Sequence, residues 1–191
     1  MSGLDLVLPI GTERLLLRPH RTDDLDDLVA FHSDREVVRY VPWPVRDREA
    51  TEETLQVKLS QTELLAHGQW LVLAVELRST GTVIGEVLLK WASEGQGEIG
   101  FALGREHQGL GYAAEAATAM LRLGFDDLGF HRITAVCIED NAASARLLTR
   151  LGMRQEAHLV DNVFFKGAWA TQLVFAMLED EWRATRPTPR P

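Results

Sequence analysis

The chain has a single cysteine, Cys137, among its 191 residues. No disulfide within the chain can hold its fold, which suits a reducing cytosol. Excess positive charge is also missing: 20 Lys and Arg face 28 Asp and Glu, a formal net charge of −8. That balance speaks against direct nucleic-acid binding, which needs surplus cations to displace counterions. The longest apolar runs, at 70–75 and 173–178, fall far short of the roughly 20 residues that span a bilayer, so no membrane partner is expected. The first residues lack a basic segment and are interrupted by Asp5 and Pro9, unlike a secretory signal. A cytoplasmic location follows as the expectation. The six histidines include no pair at ligand spacing, so no metal is expected. A Gly-x-x-x-x-Gly-Lys-Ser/Thr loop is absent, which excludes a P-loop.

What is present is ordinary for one globular domain: 46% hydrophobic and 25% charged residues. A strand is predicted at 13–18, ended by Pro19. An acidic helical turn from Thr22 follows, with Leu25, Leu28, Val29 and His32 at helical spacing. After a Tyr40-Val-Pro-Trp-Pro44 loop, the periodicity of Leu55, Leu59, Thr62 and Leu65 predicts a helix over 47–67, stopped by Gly68. Strand-like runs occupy 69–78, 82–92 and 98–103, then a glycine-containing loop at 104–111. A helix is read at 112–128, a strand at 132–139, a helix at 141–151, and two strands at 153–160 and 172–179 joined through Lys166-Gly167. This is a mixed α/β pattern, neither a bundle nor a sandwich. Its boundaries give a domain at 12–182, an N-terminal extension at 1–11 and a basic, Pro-rich tail at 183–191.

The most informative stretch runs from Gly104 to Glu115. A strand ends, Gly109 and Gly111 fall two residues apart, and a helix of small residues starts at once. Glycines there let consecutive N–H groups converge on an anion, and the helix start adds unsatisfied amides with a partial positive charge. Such a seat holds a pyrophosphate without lysine. Alone, it reads equally well as a tight strand-to-helix turn. After the next strand, Asp140-Asn141 caps a short helix whose polar first turn carries Ser144.

Together these segments resemble the GNAT superfamily of N-acetyltransferases. Gln108-Gly-Leu-Gly-Tyr-Ala-Ala-Glu115 is similar to its acetyl-CoA pyrophosphate loop, and Glu139-Asp-Asn-Ala-Ala-Ser144 with Leu151-Gly-Met153 to its second CoA-contacting unit. Thr12-Glu-Arg-Leu-Leu-Leu-Arg-Pro19 and Phe165-Lys-Gly167 resemble the RimJ/RimL-type, ribosomal-protein alanine N-acetyltransferase-like branch. The resemblance implies an α/β (α+β) fold: a mixed, mostly antiparallel central sheet, flanking helices and a V-shaped splay at the acyl-CoA site. It implies acetyl-CoA as acyl donor, held by Gln108, Gly109, Leu110, Gly111, Tyr112, Ala113, Asn141 and Ser144. The pantetheine arm would pair along Phe101, Ala102 and Leu103. Two positions depart from the pattern. Glu106 stands where Gln or Arg is frequent, and Leu148 stands where many members carry a tyrosine acid, which the resemblance replaces with Ser144.

Acetyl transfer to an amine needs a neutral amine, a polarised thioester carbonyl and a stabilised thiolate. Glu98, opening the third long strand, is the candidate base; it reads equally as an exposed strand-end carboxylate. Tyr40 and Trp43 can form an aromatic wall for the acceptor, or simply anchor their loop. Glu86 and His158 are further candidates for the acceptor side. Cys137 lies in a buried strand pattern with no activating histidine, so direct transfer without a covalent intermediate is expected. The acidic surface favours a cationic acceptor such as a protein N-terminus, a polyamine or an aminoglycoside. A homodimer is an allowed assembly. The alternative is a CoA-binding sensor or interaction module on the same fold, the reading that Leu148 favours.

Overall fold

The computed structural model describes residues 6–185. Strands β1 (Ile10–Gly11) and β2 (Leu15–Pro19) lead through a 3-10 turn into helices α1 (Leu25–His32), α2 (Arg35–Val38) and α3 (Arg48–Lys58). Strands β3 (Trp70–Leu77), β4 (Val83–Ser93) and β5 (Gln96–Leu103) then form a meander, followed by α4 (Tyr112–Arg122), β6 (Arg132–Ile138) and α5 (Ala142–Arg150). A hairpin of β7 (Arg154–Phe165) and β8 (Ala168–Leu178) and a short α6 (Glu179–Ala184) close the described chain.

The strands form one sheet in the order β1-β2-β3-β4-β5-β6-β8-β7. Every neighbouring pair is antiparallel except β5 with β6, which runs parallel. The expected mixed, mostly antiparallel sheet with flanking helices is therefore observed. Its central strand explains the near-continuous apolar reading of 82–92: β4 is covered on both faces. On one face Leu73, Leu89 and Ile99 meet α4 through Ala116, Ala119 and Met120, all at most 6% exposed. Small side chains there let the helix lie close to the sheet. On the other face a second core of Leu28, Phe31, Val37 and Leu55 joins α1, α2 and α3.

The parallel pair is short. β5 and β6 are in register only at Gln96↔Arg132, Gly97↔Ile133 and Glu98↔Thr134, whereas β5 stays paired with β4 as far as Leu103 and β6 with β8 as far as Ile138. Beyond Glu98 and Thr134 the two strands diverge. The expected V-shaped splay is this fork, and it leaves one edge of β5 without a strand neighbour from Ile99 onward.

Several boundaries differ from the sequence reading. The helix predicted over 47–67 ends at Lys58. Gln61 C=O instead accepts the Val72 N–H at 3.0 Å, and Leu64 is fully buried in the main core. The Gln69 side chain receives the Leu65 and Ala66 N–H groups that a helix would have used. Tertiary burial of Leu64 outweighs the helical spacing of Leu59, Thr62 and Leu65, the last of which is exposed. The extension read at 1–11 contributes β1, and the tail read at 183–191 contributes the end of α6. Residues 1–5 and 186–191 lie outside the described part. Helix α2 and the outer half of β7 carry too little periodic pattern to be read.

Candidate active site

A cleft of about 780 Å³ opens at the fork. Its walls come from four places: the β5 edge (Phe101, Ala102, Leu103), the glycine loop with the start of α4 (Gln108, Gly109, Gly111, Ala113), α5 (Asn141, Ser144), and the α2 region (Glu36, Tyr40). These elements are far apart in the chain, and the sheet order brings them together.

The loop is built as its glycines require. Gly109 and Gly111 have φ of 75° and 86°, and Gly111 is the N-cap of α4. A side chain at either position would be strained in that left-handed region. The first intrahelical bond at this end runs from Glu115 N–H to Gly111 C=O at 3.1 Å, which leaves the amides of residues 112–114 unspent at the cleft, with the positive end of the helix behind them. A brace from the turn between β1 and β2 holds the loop. Glu115 accepts from Thr12 Oγ1 at 2.6 Å, from the Arg14 N–H at 2.7 Å and from Arg14 Nε at 2.7 Å. Arg14 also donates to Leu110 C=O at 2.9 Å and lies over the Tyr112 ring at 4.4 Å. Hydrogen bonds from Thr12 and Arg14 hold the Glu115 carboxyl below its ordinary value although burial opposes them. The turn before β2 thus acts on the site through Arg14, which the sequence alone did not single out.

Three residues read as cofactor-binding have other partners. The Gln108 amide donates to Leu103 C=O at 2.9 Å and braces the loop while still lining the cleft. Tyr112 packs on the main core beneath Arg14. Leu110 is exposed, with its carbonyl engaged by Arg14; neither Tyr112 nor Leu110 lines the cleft. Asn141 caps α5 by accepting the Ser144 N–H at 3.1 Å. The Ser144 hydroxyl has no hydrogen-bond partner among the described residues and faces the cleft. Ser144, Leu147 and Leu151 line the same wall at helical spacing. Leu148 is 1% exposed in the main core, so its side chain points away from that wall.

The other candidates divide. Tyr40 lines the cleft. Trp43 sits behind it as a loop anchor, its ring 5.9 Å from His32, 5.8 Å from Lys58 Nζ and 5.5 Å from the Arg46 guanidinium. Glu98 is half-buried at the last paired position before the fork, opposite Lys90 and Thr134, but does not itself line the cleft. His158 stands on the outermost strand, 3.0 Å from Glu139, away from the cleft. Glu86 does not reach the cleft either. It is buried against Lys58 Nζ, with His20 Nε2 at 3.2 Å and His32 Nε2 at 3.5 Å. Burial alone would raise its pKa, but the Lys58 ammonium and the two imidazoles hold it well below the carboxylate range.

Charge along the cleft is uneven. Arg105, His107, Arg146 and Arg150 line it together with a single carboxylate, Glu36. The arginines were not anticipated, although Arg146 and Arg150 follow Asn141 on one short helix and their spacing of four puts them on one face. Among the described residues no cluster of His, Cys, Asp or Glu is arranged to hold a metal, and no helix is long and apolar enough to cross a membrane.

A splayed parallel pair, a glycine loop at a helix start and a second helix thus share one cleft. Residues 14–154 match the family model of the acetyltransferase (GNAT) domain. This chain belongs to the GNAT family. An uncharacterized N-acetyltransferase of Bacillus subtilis is 32% identical over 91% of this chain and 98% of its own length. A ribosomal protein uS5-alanine N-acetyltransferase of Escherichia coli is 32% identical over 46% of this chain and 45% of its own. A GNAT-family acetyltransferase of Bacillus anthracis superimposes with a TM-score of 0.81 at 29% identity, covering 91% of this chain and 99% of that one. This GNAT protein is accordingly an N-acetyltransferase, and the RimJ/RimL-type resemblance agrees with the Escherichia coli relative.

Proposed function

We propose that this GNAT protein transfers an acetyl group from acetyl-CoA directly to a cationic primary amine, in the cytosol. The carrying observation is that one cleft is lined by the free β5 edge, the Gly109–Gly111 loop and the start of α4. On this reading the pantetheine arm pairs along Phe101, Ala102 and Leu103 as an added strand, and the loop amides receive the pyrophosphate. Arg105, Arg146 and Arg150 supply the remaining positive field that a protein of net charge −8 otherwise lacks.

The chemistry then needs few groups. The ammonium of the acceptor loses a proton to water, relayed to Glu98 beside the fork. The neutral nitrogen attacks the thioester carbon while a β5 N–H polarises its oxygen, and the now cationic nitrogen gives up its second proton to solvent as the tetrahedral intermediate collapses. The C–S bond breaks, and the leaving sulfur takes a proton from the Ser144 hydroxyl, which regains one from solvent. Cys137 is unsuited to an acyl-enzyme step: burial pushes its thiol up to about 11, and it does not line the cleft. Glu36 and Tyr40 line the cleft on its α2 side, and on this reading they receive the amine. A peptide with a free N-terminal alanine is the first acceptor to test, given the activity named for the Escherichia coli relative; spermidine and an aminoglycoside follow.

A second reading, a CoA-binding module without turnover, is favoured by Leu148, which places an apolar core residue at the usual acid's position. Mass spectrometry after incubation with acetyl-CoA and these amines separates the two. A 42 Da gain on one amine, faster than without protein, is expected. Tight CoA binding with no acetylated product would establish the module instead.

A further inference from the structure

The tip of the β7–β8 hairpin reaches the α2 wall of the cleft through one side chain. Lys166, in the two-residue turn between Phe165 and Ala168, has φ 50°, and Gly167 has φ 91°. These positive values suit a tight hairpin connection. Its ammonium has no carboxylate partner among the described residues. It donates to Val38 C=O, the last residue of α2, and at 2.8 Å to Trp43 C=O, across 128 and 123 residues of sequence. The two carbonyls bracket the part of the wall that carries Tyr40 and Val41, and Val38 also ends the four-residue helix that carries Glu36 and Val37. A helix of one turn does not hold its own shape. Its local supports are the Asp34 cap, which accepts the Glu36 N–H at 2.8 Å, and burial of Val37 and Val38. Phe164 and Trp169, both largely exposed, face each other across the hairpin tip with ring centroids 5.7 Å apart.

We propose that Lys166 is a positioning residue for the acceptor: by holding the Val38 and Trp43 carbonyls, it fixes Glu36 and Tyr40 at the amine end of the cleft. The hairpin thereby sets acceptor affinity without touching acetyl-CoA. This rests on the acetyl-transfer reading for its consequence in catalysis, but the latch itself can be measured without any substrate.

The test compares the wild type with Lys166→Met, which keeps the stem and removes the donors, and Lys166→Arg, which can still reach both carbonyls. Amide hydrogen exchange over residues 36–44 is expected to quicken about tenfold in Lys166→Met, to return toward wild type in Lys166→Arg, and to stay unchanged in α4 and β5. With an N-terminal alanyl peptide or spermidine as acceptor, KM for the amine rises about tenfold in Lys166→Met, as loss of a charge-assisted hydrogen bond implies. KM for acetyl-CoA and kcat change little. Unaltered exchange in Lys166→Met overturns the latch. Quickened exchange with an unaltered amine KM overturns its role in acceptor binding. Should neither amine be acetylated, the acetyl-transfer reading fails for them, while exchange still decides the latch.

Discussion

A carboxylate that is 4% exposed in the middle of a central strand, as Glu86 is, survives only with cationic or hydrogen-bonding partners around it. Lys58, His20 and His32 supply them, and the Trp43 ring rests on that cluster. Glu86→Gln strands the Lys58 ammonium and is expected to destabilise the fold by about 3–5 kcal/mol, read as a lower urea midpoint. The paired change Lys58→Met with Glu86→Leu removes both charges and should recover much of that loss. The sign of the pH dependence follows from the same residues. Glu86 and Asp24 are both depressed in the folded state; for Asp24, burial is outweighed by the Arg18 guanidinium and its neighbours. Their stabilisation is present above the unfolded carboxylate value of about 4 and is lost as pH falls through the folded values. Urea titrations between pH 7 and pH 3 should show stability dropping most steeply at the acid end. Ser144 makes the residue-scale prediction for chemistry: Ser144→Ala lowers kcat by about 10²-fold with CoA affinity nearly unchanged, within the range for a lost proton donor. A normal kcat would remove the hydroxyl from the mechanism.

Elements meet at this site in ways that their own patterns do not announce. The start of α4 was legible, because two glycines before a run of small residues leave little else to form there. The shape of the loop is supplied from elsewhere, by Thr12 and Arg14 of the opening segment clamped on Glu115. Gly109→Val places a β-branched side chain at φ 75°, a conformation costing about 1–2 kcal/mol. The Cβ would enter a space with no protein atom within 4 Å, where the pyrophosphate is proposed to sit. Isothermal titration should detect no acetyl-CoA binding to this variant at concentrations that saturate the wild type; wild-type affinity would move the phosphate seat elsewhere. The helix over-read to residue 67 shows the opposite case. There the sequence pattern was strong, yet the core claimed Leu64 and the chain had to leave the helix at Lys58 to deliver it.

Across the whole molecule, burial and charge act in different places. The surface carries the net charge of −8, while the cleft gathers arginines from the loop before α4 and from α5, with Glu36 on the α2 side. A ligand bound only by the folded state at about 100 times its Kd adds roughly 2.7 kcal/mol, which for a domain of this size corresponds to a Tm increase of about 5–10 °C. Acetyl-CoA at hundreds of micromolar is expected to produce such a shift, and its absence would count against the cleft as a CoA site. The sequence by itself determined the alternation of strands and helices, the glycine turn and the capped helix after it, and through them the family. Those features are local, dictated by backbone conformation and periodicity within a few residues. Only the tertiary structure decided which side chains face the cleft. Leu148 and Glu86 are turned into the interior, His158 is carried to the outer edge, and Arg105, Arg146 and Glu36 are brought in from three separate elements. A strand fork and the order of strands set those positions, and both are fixed by pairings between residues distant in the chain, such as Gln96 with Arg132 and Leu15 with Leu77.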